Sequence, residues 1–197
     1  MDLKKKVMIV QSKNQTKEWR LGQTWYKGGQ SNECEIYQRD LIKHITKKEC
    51  PKTNMRINLR TLDFIENSNP LKKSDGFDWS EDFDGRQQND GSELYYNLKM
   101  ICNSGGAQTR SLREVYHFVE AQLKYLLKNP DRSIYFINIL DGDTSYGQRE
   151  KFIYLLNLPE YDGVRDKVFV DDMFMYQYWY QSNFSMCLSP DPVIDNL

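Results

Sequence analysis

The chain has 197 residues, of which 27 are basic and 28 acidic, with a net charge of −1 and a mean hydropathy of −0.75. This length favours one domain, and the 13% aromatic content argues against disorder. The balanced charge argues against a protein that coats nucleic acid by bulk charge. It is compatible with a site-specific DNA enzyme, whose basic groups are gathered in one cleft.

The amino terminus and the cysteines predict the compartment. Residues 1–10 carry lysines followed by only four apolar residues, which is too short for a signal peptide, and no run approaches a membrane span. The cysteines are scattered and lack zinc-finger spacing: Cys34, Cys50, Cys102 and Cys187. We therefore expect free thiols in a soluble cytoplasmic protein with no membrane partner.

The first part of the chain predicts helix and strand around a polar arm. Residues 13–30 interleave aromatic and polar residues, and this arm is either a surface loop held down by its aromatics or an arm that wraps DNA or a partner subunit. The spacing of Tyr37, Leu41 and Ile45 predicts a helix over 33–48. The remaining predictions are strands at 7–10 and 55–65 and a loop at 67–75.

Residues 75–110 contain the densest set of chemical groups. Alternation predicts a strand at 77–83, Asn89-Asp90-Gly91 predicts a hairpin turn, and 93–102 predicts the returning strand. The period of two places Asn97 and Lys99 on one face of that strand, opposite a continuous apolar face. We expect this polar pair to meet solvent or a ligand.

The second half of the chain predicts alternating helices and strands. A helix capped by Thr109 carries a long apolar stripe, and the apolar run 134–140 predicts a buried central strand. Asp141-Gly142-Asp143 is interpreted as a turn rather than a metal site. The pattern then predicts a helix at 147–156 and a strand at 167–170. An aromatic segment at 173–180 is expected to belong to the core or to a dimer interface. The predicted fold class is α/β, with a mixed central β-sheet flanked by helices.

Asp82 and the triplet Asn97-Leu98-Lys99 resemble the motif of the PD-(D/E)XK nuclease superfamily, which includes many type II restriction endonucleases. The sequence GGAQTRSL at 105–112 and the helix and strand after it are similar to the EcoRI/MunI type. The resemblance implies a restriction-endonuclease-like core. On this basis 1–197 is one nuclease domain, with a catalytic core at 75–172 between an amino-terminal part, 1–70, and a carboxyl-terminal segment, 173–197.

The resemblance also implies the roles of individual residues. Catalysis falls to Asp82, Asn97 and Lys99, and Mg²⁺ binding to Asp82, Asp84 and Glu93. DNA binding falls to four residues at the start of the long helix: Gln108, Thr109, Arg110 and Arg113. Mg²⁺ stabilises charge on the phosphodiester, while the lysine contacts the scissile phosphate and orients or deprotonates water. Arginine and glutamine also suit guanine and adenine edges.

The main departure from the family is Asn97, which stands where the motif has a second carboxylate. An asparagine oxygen can ligate Mg²⁺ without charge, so metal affinity should fall unless another acid compensates. Several acids are candidates for that role: Glu81, Asp84, Glu93, Glu33 and Glu35.

The resulting expectation is a type II restriction enzyme: a sequence-specific, Mg²⁺-dependent double-stranded DNA endonuclease that leaves 5′-phosphates. A homodimer is expected because a palindrome has two scissile bonds related by a twofold axis. One alternative is a non-cleaving DNA-binding protein on a nuclease fold, which Asn97 favours. Another is an α/β protein with no nucleic-acid role.

Overall fold

The computed structural model describes residues 12, 17–28, 32–66, 76–102 and 105–184. The helices are α1 (Lys17–Leu21), α2 (Glu33–Thr46), α3 (Gly106–Lys128), α4 (Asp143–Tyr146), α5 (Arg149–Leu156) and α6 (Met173–Phe184). The strands are β1 (Met55–Asn58), β2 (Phe64–Glu66), β3 (Ser80–Asp82), β4 (Gly85–Asn89), β5 (Ser92–Met100), β6 (Ile134–Asp141) and β7 (Val168–Asp171). Within these ranges, no helix has both the length and the apolar character needed to cross a lipid bilayer.

The strands form two sheets, and the larger one is mixed. Its order is β4-β5-β6-β7, with β4 antiparallel to β5 and the other neighbours parallel. The smaller sheet is antiparallel, with the order β2-β1-β3. The predicted mixed α/β class with flanking helices is therefore confirmed.

The hairpin between β4 and β5 follows directly from its turn residues. Asp90 and Gly91 have φ values of 48° and 86°, so both central residues are left-handed, as the tight hairpin turn requires. The turn lies where the sequence predicts it. The strand that pairs with β5 is Gly85–Asn89, however, and not the predicted 77–83.

Helices cover both faces of the larger sheet. On one face, α3 packs its stripe, including Leu112, Val119 and Leu126, against residues such as Tyr95 and Phe136. On the other face, α2 and α6 pack on alternate residues of the same strands: Leu94, Tyr96, Leu98, Ile137, Ile139 and Phe169. The predicted alternation of β5 is thus confirmed. Each such buried side chain contributes about 1.5–3 kcal/mol of transfer free energy.

Several predicted elements change in extent. The 55–65 strand is a hairpin of β1 and β2, because Asn58 accepts turn hydrogen bonds from Arg60 and Thr61. The long helix begins at Gly106, so Thr109 is not its cap. The predicted 147–156 helix is α5, which begins at Arg149; the short helix α4 precedes it, where the sequence predicts only a turn, and the aromatic segment is α6. The predictions for 7–10 and 67–75 lie outside the described residues.

The polar arm packs against α2. The Trp25 ring stacks on Tyr37, with centroids 4.4 Å apart and planes inclined by 10°, and Trp19 meets both rings. The prediction of free thiols is confirmed for Cys34, Cys50 and Cys102. Cys187 lies outside the described residues.

Candidate active site

Lys99 and Asp84 form the ion pair at the centre of the candidate site. Lys99 is the last residue but one of β5, and Asp84 immediately precedes β4. The Asp84 carboxylate oxygen Oδ2 lies 3.6 Å from Lys99 Nζ. The side chains are 37% and 20% exposed, respectively, so the pair is open to a ligand.

Backbone hydrogen bonds hold the Asp84 carboxylate in place. The Leu98 N–H donates to Asp84 Oδ2 at 2.7 Å, and the Asp84 N–H donates to the Tyr96 carbonyl at 2.7 Å. Asp84 is therefore attached to β5 at two points, on either side of Asn97. A carboxylate held this way presents its remaining lone pairs in a fixed direction, which suits a cation or a water molecule.

Glu81 adds a second carboxylate near Lys99. Burial raises the pKa of Glu81, and the charge of Lys99 opposes that rise. The carboxylates of Glu114, on α3, and Asp82 raise the pKa further. The geometry thus brings a half-buried acid of raised pKa close to the lysine, and such an acid is better able to take up a proton at neutral pH than an ordinary glutamate.

Asp82 lies in a different environment from the one the motif predicts. Its Oδ1 accepts a hydrogen bond from Arg56 Nε at 2.7 Å, and its side chain is 61% exposed. Asp78 pairs with the same guanidinium at 2.8 Å. Side chains alternate along a strand, so Asp82 points away from the face that carries Glu81. The carboxylate paired with Lys99 is that of Asp84, and the placement of Asp82 there is corrected.

Asn97 is buried, and the expectation that it meets solvent or a ligand is wrong. It is 1% exposed, and its Nδ2 donates to Asn138 Oδ1 at 3.0 Å. Gln122 of α3 completes this amide network, because its own amide and that of Asn138 exchange two hydrogen bonds. Helix α3 therefore covers the position where the motif has an acid.

Glu93 is too far from Lys99 to bind the same metal, so its assignment as a ligand is wrong. The two residues are six positions apart on one extended strand, which separates them by about 20 Å. Glu93 instead pairs with Arg86 at 2.8 Å, beside the hairpin turn. Sequence proximity to the motif is misleading here because β5 is straight.

Of the two acids in the first turn of α2, Glu35 lies near Asp84 and Glu33 lies at the arm. Glu35 lies 3.4 Å from Lys52 Nζ and 3.5 Å from Arg39, and both it and Asp84 raise the pKa of Cys50. Glu35 is thus in the same neighbourhood as Asp84. Glu33 accepts the Lys27 N–H at 3.0 Å at the arm and has no such relation.

Sequence reasoning missed Gln38 and the role of Asp141. Gln38 Nε2 donates to the Lys99 carbonyl at 3.1 Å and to Asp141 Oδ2 at 2.8 Å, which ties the end of β5 to the end of β6. Burial raises the pKa of Asp141 to about 7. The available signal was a glutamine within the apolar face of α2, next to Leu41 and Ile42.

The predicted DNA-binding residues lie along the first turns of α3. Gln108 lines a cleft of about 280 Å³ with Ser111, Arg20 of the arm and the end of β5. Thr109, Arg110 and Arg113 are exposed. Since α3 follows β5, this helix start lies at the same end of the sheet as Lys99.

The side chains near Lys99 suit a Mg²⁺ ion that takes few ligands from the protein. The described residues contain no group of three or more His, Cys, Asp or Glu placed to hold a metal ion. Mg²⁺ commonly uses one or two carboxylates, keeps several waters and gains further ligands from a substrate phosphate. Asp84 supplies an oxygen ligand of that kind.

Comparison of the chain with family models, curated proteins and solved structures returned no match.

Proposed function

We propose that the protein is a Mg²⁺-dependent double-stranded DNA endonuclease of the type II restriction kind. The observation that carries the proposal is the contact between Lys99 and Asp84, 3.6 Å apart on adjacent antiparallel segments. The chain order supports it, because an antiparallel hairpin, a long helix and a parallel strand follow one another as the nuclease resemblance implies. The same resemblance implies a homodimer and a short palindromic target.

Lys99 acts on the scissile phosphate in this proposal. Its ammonium group donates to a non-bridging oxygen and stabilises the charge that builds up as water attacks phosphorus. Asp84 fixes the ammonium and is the residue that would hold Mg²⁺. A bound Mg²⁺ supplies charge neutralisation and a more acidic water.

Glu81 is the proposed base. Its raised pKa suits removal of a proton from the attacking water. The P–O3′ bond then breaks, the 3′ oxygen takes up a proton from solvent, and the phosphate stays on the 5′ side. The products are a 5′-phosphate and a 3′-hydroxyl.

A non-cleaving DNA-binding protein is the second candidate, and one structural feature favours it. Asn97 is engaged with Asn138, and no described group of three ligating side chains surrounds Lys99. A binding protein on this scaffold would keep the basic surface of α3 and lose only the chemistry.

Nicking of supercoiled plasmid in Mg²⁺ tests the proposal. Wild type should relax or linearise mixed-sequence DNA with Mg²⁺ and not with EDTA, and Lys99→Met should lose this activity. Lys124→Met is the matched control, since Lys124 is exposed, lies in the second half of α3 and pairs with Glu120 on the same helix. Salt-dependent binding without any cleavage by wild type would favour the binding protein. Equal cleavage by Lys99→Met would remove Lys99 from the site.

A further inference from the structure

A groove with a largely apolar lining separates the first turns of α3 from α5. It has a volume of about 180 Å³, and its floor includes Tyr116 and Phe152. Four polar side chains surround that floor: Thr109, Arg113, Gln148 and Lys151. The nuclease resemblance already implies DNA binding by Thr109 and Arg113, but neither it nor the ion pair at Lys99 accounts for Gln148 and Lys151 across the groove.

The two cations of the groove lie outside the ion pairs formed among the described residues. Arg113 and Lys151 are exposed, and neither makes an ion pair with any residue that the structure describes. Two other cations of the same helices are neutralised: Arg149 pairs with Asp171 at 3.0 Å, and Lys124 pairs with Glu120 at 2.8 Å. Arg113 and Lys151 therefore place uncompensated positive charge on the two sides of one groove.

The acids adjacent in sequence do not neutralise these cations. Glu150 precedes Lys151, but consecutive helical residues point about 100° apart around the axis. Glu114 follows Arg113, and it is close enough to Glu81 to raise the pKa of that residue. Glu114 thus lies on the flank of α3 that faces β3, and the groove lies on the flank that faces α5.

The groove opens at the same end of the sheet as Lys99. Helix α3 follows β5, and α4 and α5 follow β6, and these two strands are parallel. Both helices therefore begin at the carboxyl ends of the strands. Lys99 and the groove lie on opposite flanks of α3, so they are separated by about one helix diameter, roughly 10–12 Å. Since the phosphates of each DNA strand recur about every 3.4 Å along the helix axis, this distance, measured along that axis, corresponds to about three nucleotides.

We propose that the groove binds the phosphate backbone of duplex DNA about three nucleotides from the scissile phosphate. Arg113 and Lys151 contact phosphate oxygens, while the Thr109 hydroxyl and the Gln148 amide donate further hydrogen bonds. The groove thus sets the register of the duplex on the enzyme without reading bases. This inference rests on the proposed function, and it assigns α5 to the DNA interface.

Salt-dependent binding of a fluorescein-labelled duplex, measured by anisotropy in EDTA, tests the inference without requiring cleavage. The variant is Arg113→Gln/Lys151→Gln, and the matched control is Lys124→Gln/Lys128→Gln, which removes the same charge from the far half of α3. Each lost phosphate contact reduces the slope of log K against log salt by about 0.9. The groove variant should therefore lose about 1.8 of that slope, equally on unrelated sequences, while the control keeps the wild-type slope.

Charge-preserving substitution separates this role from a change of fold. Arg113→Lys/Lys151→Arg should retain the wild-type slope, because each side chain still neutralises one phosphate. A wild-type slope in the Gln variant, or equal losses in groove variant and control, would overturn the groove while leaving DNA binding intact. Absence of salt-dependent binding by wild type would overturn the groove and the proposed function together.

Discussion

Asn97 and Asn138 face each other at paired positions of the parallel strands β5 and β6, and the Asn97 amide donates to Asn138 Oδ1 at 3.0 Å. Asn138 also donates to Gln122 at 2.8 Å and to the Phe169 carbonyl at 3.2 Å. The network joins β5, β6, β7 and α3 beneath the candidate site. The asparagine that departs from the nuclease motif therefore acts in packing.

Removing the centre of this network should destabilise the protein. Asn138→Leu leaves the amides of Asn97 and Gln122 without a partner in a buried site, at a cost of about 1–3 kcal/mol for each unsatisfied group. We expect the free energy of unfolding to fall by about 2–5 kcal/mol, measured by urea denaturation.

A triple variant provides the control for the network. Asn97→Leu/Asn138→Leu/Gln122→Met replaces all three amides by apolar groups, so it should lose less stability than Asn138→Leu alone. If the single variant unfolds at the wild-type urea concentration, the network does not stabilise the fold.

The carboxylate beside Lys99 can be identified by a matched pair of substitutions. Asp84→Asn should lower Mg²⁺-dependent cleavage by about 100-fold, because a fixed charge near the reacting phosphate is lost. Asp82→Asn should change the rate little, since Asp82 pairs with Arg56 on the other face of β3. Single-turnover cleavage at saturating DNA measures both rates. A larger loss for Asp82→Asn would restore the motif assignment.

Asp141 predicts a dependence of stability on pH. Burial raises its pKa from 3.8 to about 7 in the folded protein, while hydrogen bonds from the Met173 N–H and Gln38 lower it. Between these values the folded state binds the proton that the unfolded state has lost. The free energy of unfolding therefore falls as pH rises through this window.

Comparison with Asp141→Asn isolates this group from other titrations. The variant has no proton to lose at this position. Its melting temperature should therefore fall less than that of wild type between about pH 5 and pH 8, which spans the folded-state pKa of Asp141. Parallel profiles for the two proteins would show that Asp141 titrates normally.

Gly142 is expected to tolerate no side chain. Its φ is +102°, and a Cβ atom there would lie 2.2 Å from the Ile101 carbonyl oxygen, at the point where β5 and β6 end together. Gly91→Ala is the matched control, with φ of +86° and nothing within 4 Å of the added carbon.

Gly91→Ala should lower the free energy of unfolding only by the cost of a left-handed backbone at a non-glycine residue, about 1–2 kcal/mol. Gly142→Ala should cost more than that, because backbone must move as well, and thermal unfolding measures both variants. Equal losses would mean that the ends of β5 and β6 can separate without penalty.

Local patterns in the sequence determined much of the fold. The Asp90-Gly91 turn, the alternation of β5, the stripe of α3 and the apolar run of β6 lie where the sequence predicts them, because each depends on neighbours within a few positions. Lys99 was also correctly expected on a face that reaches solvent.

The tertiary structure alone decided which groups meet Lys99. At Phe83 and Asp84 the chain passes from pairing with β1 to pairing with β5. The carboxylate beside Lys99 is therefore that of Asp84 and not the predicted Asp82. Asn97 is closed off because α3 and β6 supply amides to it from distant parts of the sequence. A sequence period states which residues share a face of one strand. Which acid or amide lies opposite that face depends on the register between strands and on the helix packed over them.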